Sequence, residues 1–308
     1  MTNKNLRFSK DFNLPINIFD DEMFNYYRNL YKDFWPYEEE KLMDEAIEKL
    51  GGVEKWLEYC GNVRDNAILS VTNSDSYKIF NDSKNLLKEY DVKNINIGEH
   101  SLYTDVCENN LYISVDIKKA NFQALKFAGV INDNTYKDFI VSHGGDEYFA
   151  KSKYLRQVIF GKMNPGRIIK VEKFIISKIR EIVELCFPEF ELMSLNSDEL
   201  IYKLKDTFGP GREELDNLSN IVKSTINIDV RVECLKIHRL PIVNVNGNKV
   251  DAFVRTNINT NEQILKKAST TFYPQIYKLW KGMEINEKDM TVYIENQLAV
   301  FKEPLRLA

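Results

Sequence analysis

Helical periodicity fills the first ninety residues and then gives way to strand and turn patterns at Asp91, and this change most constrains the fold. Apolar side chains first recur at helical spacing at Phe24, Tyr27, Leu30, Tyr31 and Phe34. Similar patterns continue at Leu42 to Leu50, Val53 to Tyr59, Asp65 to Val71 and Ser76 to Tyr90. We therefore predict an α+β chain with a helical N-terminal module over residues 1–90.

After residue 91 the predicted elements alternate between strands and helices. The strands are Val92 to Ile97, Leu111 to Val115, Asp229 to Leu240, Pro241 to Val245 and Val250 to Thr256, with a hairpin over Glu191 to Leu204. The helices are Lys118 to Phe127, Asp146 to Met163, Ile168 to Cys186 and Arg212 to Ser224. In the helix from Ile168, the predicted buried side chains are Ile168, Val171, Ile175, Ile179, Ile182 and Cys186.

Composition restricts the class of protein and the kind of metal site. The 308 residues suggest about two domains, and 44% apolar side chains are enough for a folded core. No apolar run is long enough to cross a bilayer, and Met1 to Lys10 lacks the apolar core of a secretory signal, so we expect a soluble cytoplasmic protein without a membrane partner. Four scattered cysteines and three histidines argue against a zinc site. Carboxylates would hold any metal, which favours Mg²⁺ or Mn²⁺.

The net charge of −4 hides a basic segment. Met1 to Cys60 carries 13 acidic and 8 basic side chains, whereas Lys151 to Arg180 carries 9 basic and 1 acidic. Such a segment is a candidate surface for phosphate or nucleic acid, and the alternative is a solvated helix face. The candidate nucleic-acid contacts are Lys162, Arg167, Lys170 and Lys173.

Two aspartates lie where predicted strands end. Asp116 closes the run Ile113-Ser114-Val115-Asp116, and Asp198 lies in the turn of the predicted hairpin, just before Glu199. If the two strands are neighbours in one antiparallel sheet, the two carboxylates converge and could hold two hard cations. Two such ions activate an attacking oxygen and stabilise a leaving phosphate, as phosphoryl transfer requires.

Three segments in this order resemble the palm of family B DNA polymerases. Val115 to Leu125 resembles the strand-to-helix motif that opens with the first metal-binding Asp. Lys153 to Lys162 is similar to the helix pattern of a Lys, three residues, Asn-Ser, any residue and Tyr-Gly. Leu195 to Ile201 resembles the Asp-Thr-Asp-Ser hairpin, with Asp198 at the second Asp.

The resemblance implies roles for the matching residues. Asp116 and Asp198 would bind two Mg²⁺ or Mn²⁺ ions, with the Ile117 carbonyl as a further ligand. Lys153 would contact the triphosphate, and Arg156, one helical turn away, is a second candidate for the phosphates. Phe160 and Gly161 would form the floor beneath the nascent base pair.

The chain departs from the family pattern at several positions of the proposed site. Asn121 stands where an aromatic residue usually excludes the ribose 2′-hydroxyl, and Phe122 follows it, so both are candidate nucleotide contacts. Gln157 and Asn196 replace family Asn and Asp residues. Glu199 stands where a hydroxyl is usual, so it is either a third metal ligand or part of a structural salt bridge.

The resemblance implies a minimal nucleotidyltransferase of a viral or plasmid type. Residues 91–240 would form a palm with short fingers, an antiparallel sheet with helices on one face, and residues 241–308 a small thumb-like region. The implied substrates are nucleoside triphosphates and nucleic acid, DNA rather than RNA. Because the chain is short, a protein partner could supply the primer, processivity or proofreading.

Three alternatives stay open. The palm could be a non-catalytic subunit that binds nucleic acid or serves assembly, which the departures at Asn121, Gln157 and Asn196 favour. Reverse transcriptases have a similar first motif, but their hairpin normally carries adjacent Asp residues after an aromatic. Gly144-Gly145-Asp146-Glu147-Tyr148 differs at one residue from the signature of diguanylate cyclases, although the pattern here predicts a turn and a helix N-cap at Asp146.

Overall fold

The computed structural model describes residues 3–16, 20–34, 37–82, 90, 102–104, 108, 110–205, 209–294 and 297–308. The predicted strand Val92 to Ile97 and residues 83–89 of the helix predicted to end at Tyr90 lie outside the described residues. The chain divides into two compact units. Met1–Tyr90 with Ala124–Val171 form the first, here called the helical unit, and Asp91–Gln123 with Glu172–Ala308 form the second, the sheet unit.

Helices account for most of the N-terminal region, as predicted. The helices within the described residues are α1 (Asn3–Asp11), α2 (Asp21–Leu30), α3 (Tyr37–Leu50), α4 (Val53–Thr72), α5 (Asp75–Asp82), α6 (Ala120–Phe127), α7 (Tyr136–Ser142), α8 (Glu147–Lys151), α9 (Lys153–Gly161), α10 (Pro165–Cys186), α11 (Arg212–Ile226) and α12 (Tyr273–Trp280). Short 3₁₀ turns form at Lys32–Phe34 and Glu287–Met290. None of the helices in the described ranges is long and apolar enough to cross a membrane.

Two of the predicted helix boundaries are wrong in the helical unit. Val53–Thr72 is one helix, because its buried positions continue without a break at Trp56, Cys60, Val63, Ala67 and Val71. The single helix predicted from Asp146 to Met163 is instead α8 and α9. Ser152 separates them in an extended conformation, and its Oγ accepts a hydrogen bond from the Leu155 amide, 3.0 Å away, as the N-cap of α9.

Helices α1, α7 and α12 match none of the individually predicted helices, and the predicted burial of Cys186 is wrong. Helix α7 was not predicted; it begins with a capping box in which Thr135 and Asp138 hydrogen-bond to each other's backbone amides. Cys186, predicted to face inward, is exposed at the end of α10. Val183 is buried in the last turn instead.

The sheet unit is built on a six-stranded antiparallel sheet in the order β2-β3-β1-β4-β6-β7. Its strands are β1 (Leu111–Ile117), β2 (Glu191–Leu195), β3 (Glu199–Lys203), β4 (Val230–Arg239), β6 (Phe253–Asn257) and β7 (Gln263–Lys266). Two small sheets pair β5 (Ile242–Val243) with β10 (Arg306–Leu307), and β8 (Thr291–Ile294) with β9 (Gln297–Val300). The structure therefore confirms the α+β class.

One face of the sheet is apolar at one end and charged at the other. Side chains alternate between the faces of a strand, so Tyr112, Ser114 and Asp116 of β1 share a face. Tyr112 joins a buried apolar cluster whose other members are Leu102, Ile201, Leu235, Ile237 and Phe253. Farther along the same face the side chains become polar, and Asp116 lies in this polar region.

Candidate functional site

Strands β1 and β3 bring Asp116 and Asp198 to the same end of the sheet. Asp116 is directly opposite Glu199 in the antiparallel register. The Ile117 amide donates to the Asp198 carbonyl at 2.8 Å, which extends the strand pairing by one step. The hairpin turn is closed by the Asn196 amide, which donates to the Glu199 carbonyl at 2.9 Å. The Asp198 side chain is exposed at this turn.

Strand β4 fixes the other side of the end of β1. Asp116 is opposite Arg231, and the Lys118 amide donates to the Asp229 carbonyl at 2.9 Å. The Asp229 side chain accepts hydrogen bonds from Gln123 of α6 at 3.0 Å and from Lys223 of α11 at 2.8 Å. These contacts hold the end of β1, and with it Asp116, against the neighbouring strands β3 and β4.

Five charged side chains with alternating signs extend from Glu199 to Asp116, and we call them the ionic row. They are Glu199, Arg255, Glu233, Arg231 and Asp116. Arg255 Nη2 donates to Glu199 Oε1 at 2.7 Å and lies 3.9 Å from Glu233 Oε2. Arg231 Nε lies 3.6 Å from Glu233 Oε2, and Arg231 Nη2 donates to Asp116 Oδ2 at 3.2 Å.

The strand register explains why these charges share a face. Ser114 pairs with Glu233 and Asp116 with Arg231, so the alternate residues of β1 and β4 face the same side. On β6, Arg255 pairs with Ile237, which also belongs to this face. Arg255 is only 6% exposed, so its charge is held by the carboxylates around it.

Glu199 is engaged by its neighbours within the row. Ser114 Oγ donates to Glu199 Oε1 at 2.5 Å, in addition to the Arg255 contact. Burial alone would raise the pKa of the Glu199 carboxyl, but the charge and hydrogen bonds of Arg255 and Ser114 outweigh burial and hold its pKa below the usual value. Of the two roles predicted for Glu199, this geometry matches the structural salt bridge.

The pKa of Asp116 is shifted in the opposite direction to that of Glu199. Burial raises its pKa, Arg231 lowers it, and the nearby charges of Glu199 and Asp198 raise it again, so that the pKa of Asp116 is about 6. An aspartate normally titrates near 4. At Asp116, burial, which is the largest cause, and the two neighbouring carboxylates therefore outweigh the charge of Arg231.

A further carboxylate, Glu172 of α10, lies close enough to Asp198 to be affected by its charge. Glu172 is 3% exposed and accepts a hydrogen bond from Asn121 Nδ2 at 2.8 Å. Burial first, and then the charge of Asp198, raise the pKa of Glu172 to about 7, although the Asn121 hydrogen bond opposes this shift. Asn121 is thus held by a buried acid.

The donor groups at this end of the sheet fit a hard divalent cation. Carboxylate and backbone carbonyl oxygens are what Mg²⁺ and Mn²⁺ prefer, and Asp116, Asp198 and Ile117 supply them. Burial and the two neighbouring carboxylates disfavour ionised Asp116, and a bound cation would stabilise its charged form. Within the described residues, no three His, Cys, Asp or Glu side chains form a ready metal cluster, so substrate oxygens would have to complete the coordination.

The remaining predicted nucleotide contacts belong to the helical unit, apart from Asn121 and Phe122. Lys153 is exposed at the first residue of α9, and Gly161 ends this helix. The Arg156 guanidinium lies 5.9 Å from the centre of the Tyr136 ring. Phe160 is 1% exposed and packs against Tyr136 and Phe139, so its ring serves the core of the unit and not an open floor.

Of the predicted nucleic-acid contacts, Lys162 is exposed, and Lys170 and Lys173 are half-buried on α10. Arg167 donates to the Phe80 carbonyl, which ties α10 to α5 and occupies part of the guanidinium. Phe122 is 2% exposed in α6 and is a core residue rather than a nucleotide contact.

The segment that resembles the diguanylate cyclase signature begins a helix. Asp146 is the N-cap of α8 and accepts from the Phe149 amide at 3.3 Å, and Glu147 follows in the first turn of α8. The acidic pair is therefore not on a β-hairpin, where the signature would place it.

Four charged residues of this region are not among the predicted site residues: Arg231, Glu233, Arg255 and Glu172. Each has a signal in the sequence. Arg231 and Glu233 occupy alternate positions of one strand, and Arg255 is a charge inside an otherwise apolar strand start. Glu172 is the one acid between Lys151 and Arg180, and it lies on the apolar side of that helix.

The chain matches no protein-family model and no curated protein, and its structure matches no solved structure.

Proposed function

We propose that this protein is a nucleotidyltransferase that adds nucleotides from nucleoside triphosphates to a DNA primer end. The observation that carries the proposal is the placement of Asp116 and Asp198 at the same end of the paired strands β1 and β3. In the reaction, the acceptor hydroxyl gives up its proton to water, and its oxygen forms a bond to the α-phosphorus. The bond from that phosphorus to the leaving oxygen breaks, and pyrophosphate departs.

Asp116 and Asp198 would hold Mg²⁺ or Mn²⁺, with the Ile117 carbonyl as a further ligand. Bound metal would lower the pKa of the attacking hydroxyl and neutralise charge on the phosphates. Glu199 and Arg255 keep the β3 end of the hairpin fixed against β1 and β4, and this would hold Asp198 near Asp116. Lys153 is our candidate for the triphosphate, on the strength of its sequence motif.

The test is nucleotide incorporation on a primed DNA template by the full chain with Mg²⁺ or Mn²⁺. We expect Asp116→Asn and Asp198→Asn each to lower the rate at least about a hundredfold, because each removes charge that stabilises the transition state. Asp251→Asn is the matched control, since Asp251 is an exposed aspartate of the same unit that pairs with Arg239. Thermal melts would show that all three variants fold.

Incorporation by Asp116→Asn and Asp198→Asn at the control's rate would rule out this active site. The same assay with an RNA primer, or without template, would decide the acceptor and the template dependence. A protein that supplies the primer or proofreading would be revealed by activity that appears only when it is added.

A second candidate is a non-catalytic subunit that binds nucleic acid. The ion pair between Arg231 and Asp116 favours it, because a guanidinium already neutralises part of the charge that a metal would need. Salt-sensitive DNA binding is expected from both candidates, since both would use the basic segment Lys151 to Arg180. Only the enzyme would show metal-dependent turnover.

A further inference from the structure

Arg231 lies between two carboxylates and contacts both. Its Nη2 is 3.2 Å from Asp116 Oδ2, and its Nε is 3.6 Å from Glu233 Oε2. The Arg231 side chain is 52% exposed, whereas those of Asp116 and Glu233 are 25% and 16% exposed. A partly solvated guanidinium therefore covers a largely buried carboxylate.

The two carboxylates differ in what else holds them. Glu233 also accepts from Asn257 Nδ2 at 3.1 Å and lies 3.9 Å from Arg255 Nη2. For Asp116, Arg231 is the single cation within 4.0 Å in the part of the chain that the structure describes. Asp116 thus depends on Arg231, while Glu233 offers Arg231 a second partner on the same strand.

We propose that Arg231 is an internal cation that competes with a divalent metal for Asp116 and moves onto Glu233 when the metal binds. The proposal rests on the proposed function, because it takes Asp116 as a metal ligand. Arg231 acts here as a positioning residue that holds Asp116 in place until the metal arrives. This competition also explains how one site can contain both a salt bridge and the ligands for a divalent cation.

Elementary electrostatics sets the size of the effect. A divalent ion on Asp116 and a guanidinium about 5 Å away repel each other, and in water-like surroundings this repulsion corresponds to roughly a tenfold change in affinity. Removing the charge of Arg231 should therefore tighten metal binding. Removing the charge of Glu233 should weaken metal binding, because Arg231 then loses its second carboxylate partner and stays paired with Asp116.

The experiment is a Mn²⁺ titration of the full chain, with free Mn²⁺ measured by electron paramagnetic resonance. We expect Arg231→Gln to bind Mn²⁺ about tenfold more tightly than the natural protein, and Arg231→Lys to bind it with nearly natural affinity. Glu233→Gln should bind it more weakly. Arg239→Gln is the control, because Arg239 lies eight residues farther along the same strand and pairs with Asp251.

The outcomes separate this proposal from the proposed function. Natural affinity in both Arg231→Gln and Glu233→Gln would overturn the role of Arg231, while loss of Mn²⁺ binding in Asp116→Asn would still support the metal site. If neither the natural protein nor Arg231→Gln binds Mn²⁺ through Asp116, the metal site itself is wrong. Weaker nucleotide binding in Arg231→Gln with unchanged Mn²⁺ affinity would make Arg231 a substrate contact and also overturn the proposal.

Discussion

Two largely buried aspartates, Asp11 in the helical unit and Asp116 in the sheet unit, have opposite surroundings. Asp11 is 1% exposed and accepts hydrogen bonds from Arg7 Nε at 2.7 Å, from Ser152 Oγ at 2.6 Å and from the Tyr148 hydroxyl. Asp116 has one cation partner, Arg231, and two other carboxylates near enough to raise its pKa. The first carboxylate is fully balanced and the second is not.

The difference in surroundings indicates a structural role for Asp11 and a functional role for Asp116. Three donors around Asp11 connect α1 with the start of α9, so that its charge contributes to the packing of helices. At Asp116, burial and two neighbouring carboxylates outweigh the charge of Arg231, which costs stability unless a cation is added. A buried carboxylate with too few donors is a better candidate for function than one whose hydrogen bonds are complete.

The largest effect that this comparison predicts is on stability at Asp11. We expect Asp11→Ala to lower the free energy of unfolding by about 4 kcal/mol, because Arg7 is left as a buried charge without its partner. Urea denaturation followed by circular dichroism measures the change. Asp44→Ala is the matched control, since Asp44 forms an exposed ion pair with Lys4 of the same helix α1, and it should cost less than about 1 kcal/mol.

Equal losses of unfolding free energy in Asp11→Ala and Asp44→Ala would contradict the comparison. Asp11 would then contribute no more to stability than an exposed aspartate. Asp11→Asn refines the test. It keeps the shape of the side chain and removes only the charge, so a smaller loss would separate packing from electrostatics.

The next effect is on the ionic row. Glu199→Gln should lower the free energy of unfolding by about 3 kcal/mol, since buried Arg255 would keep only Glu233 as a charged partner, at 3.9 Å. It should also lower the pKa of Asp116 from about 6, because the charge of Glu199 contributes to raising it. Denaturation and a carboxyl titration by nuclear magnetic resonance measure the two effects.

The control for Glu199→Gln is Asp251→Asn, which changes a 71% exposed carboxylate that pairs with Arg239 and should alter the free energy of unfolding by less than about 0.5 kcal/mol. A pKa of Asp116 that stays at about 6 in Glu199→Gln would mean that burial alone sets it. In that case the excess charge around Asp116 would not distinguish it from an ordinary buried acid.

Local patterns were sufficient to predict much of the sheet unit. Leu111 to Asp116 and the hairpin around Asn196 and Ser197 are short β-rich runs bounded by turn residues, and both form where predicted. The hairpin also lies beside β1, as the convergence of Asp116 and Asp198 requires. Each of these elements is specified by its own neighbouring residues, so its prediction needs no knowledge of contacts between distant parts of the sequence.

The ionic row could not be predicted in this way. Arg255 meets Glu199 only because β6 pairs with β4 and β4 with β1, and no local pattern determines that strand order.

The helix break at Ser152 also depends on contacts between residues that are distant in the sequence. A serine within a helical pattern can stay in the helix or cap the next one, and here contact with Asp11 accompanies the cap.

The smallest of the three effects is a gain of stability at Glu172, which is nearly as buried as Asp11 but has fewer donors. Its pKa of about 7 lies above the value near 4.3 expected for the unfolded chain. The folded state therefore keeps the proton more tightly, and the resulting stability is complete below about pH 4 and is lost as the pH rises towards 7. Glu172→Gln, which cannot lose a proton, should be almost unchanged in stability at pH 4 and more stable than the natural protein by about 2 kcal/mol at pH 6. Urea denaturation at the two pH values measures this difference, and Glu181→Gln, at an exposed position of the same helix, should show almost none.

A Glu172→Gln variant that is less stable than the natural protein at pH 6 would mean that ionised Glu172 is compensated as well as Asp11 is. Glu172 would then not be a carboxylate whose ionised form is disfavoured.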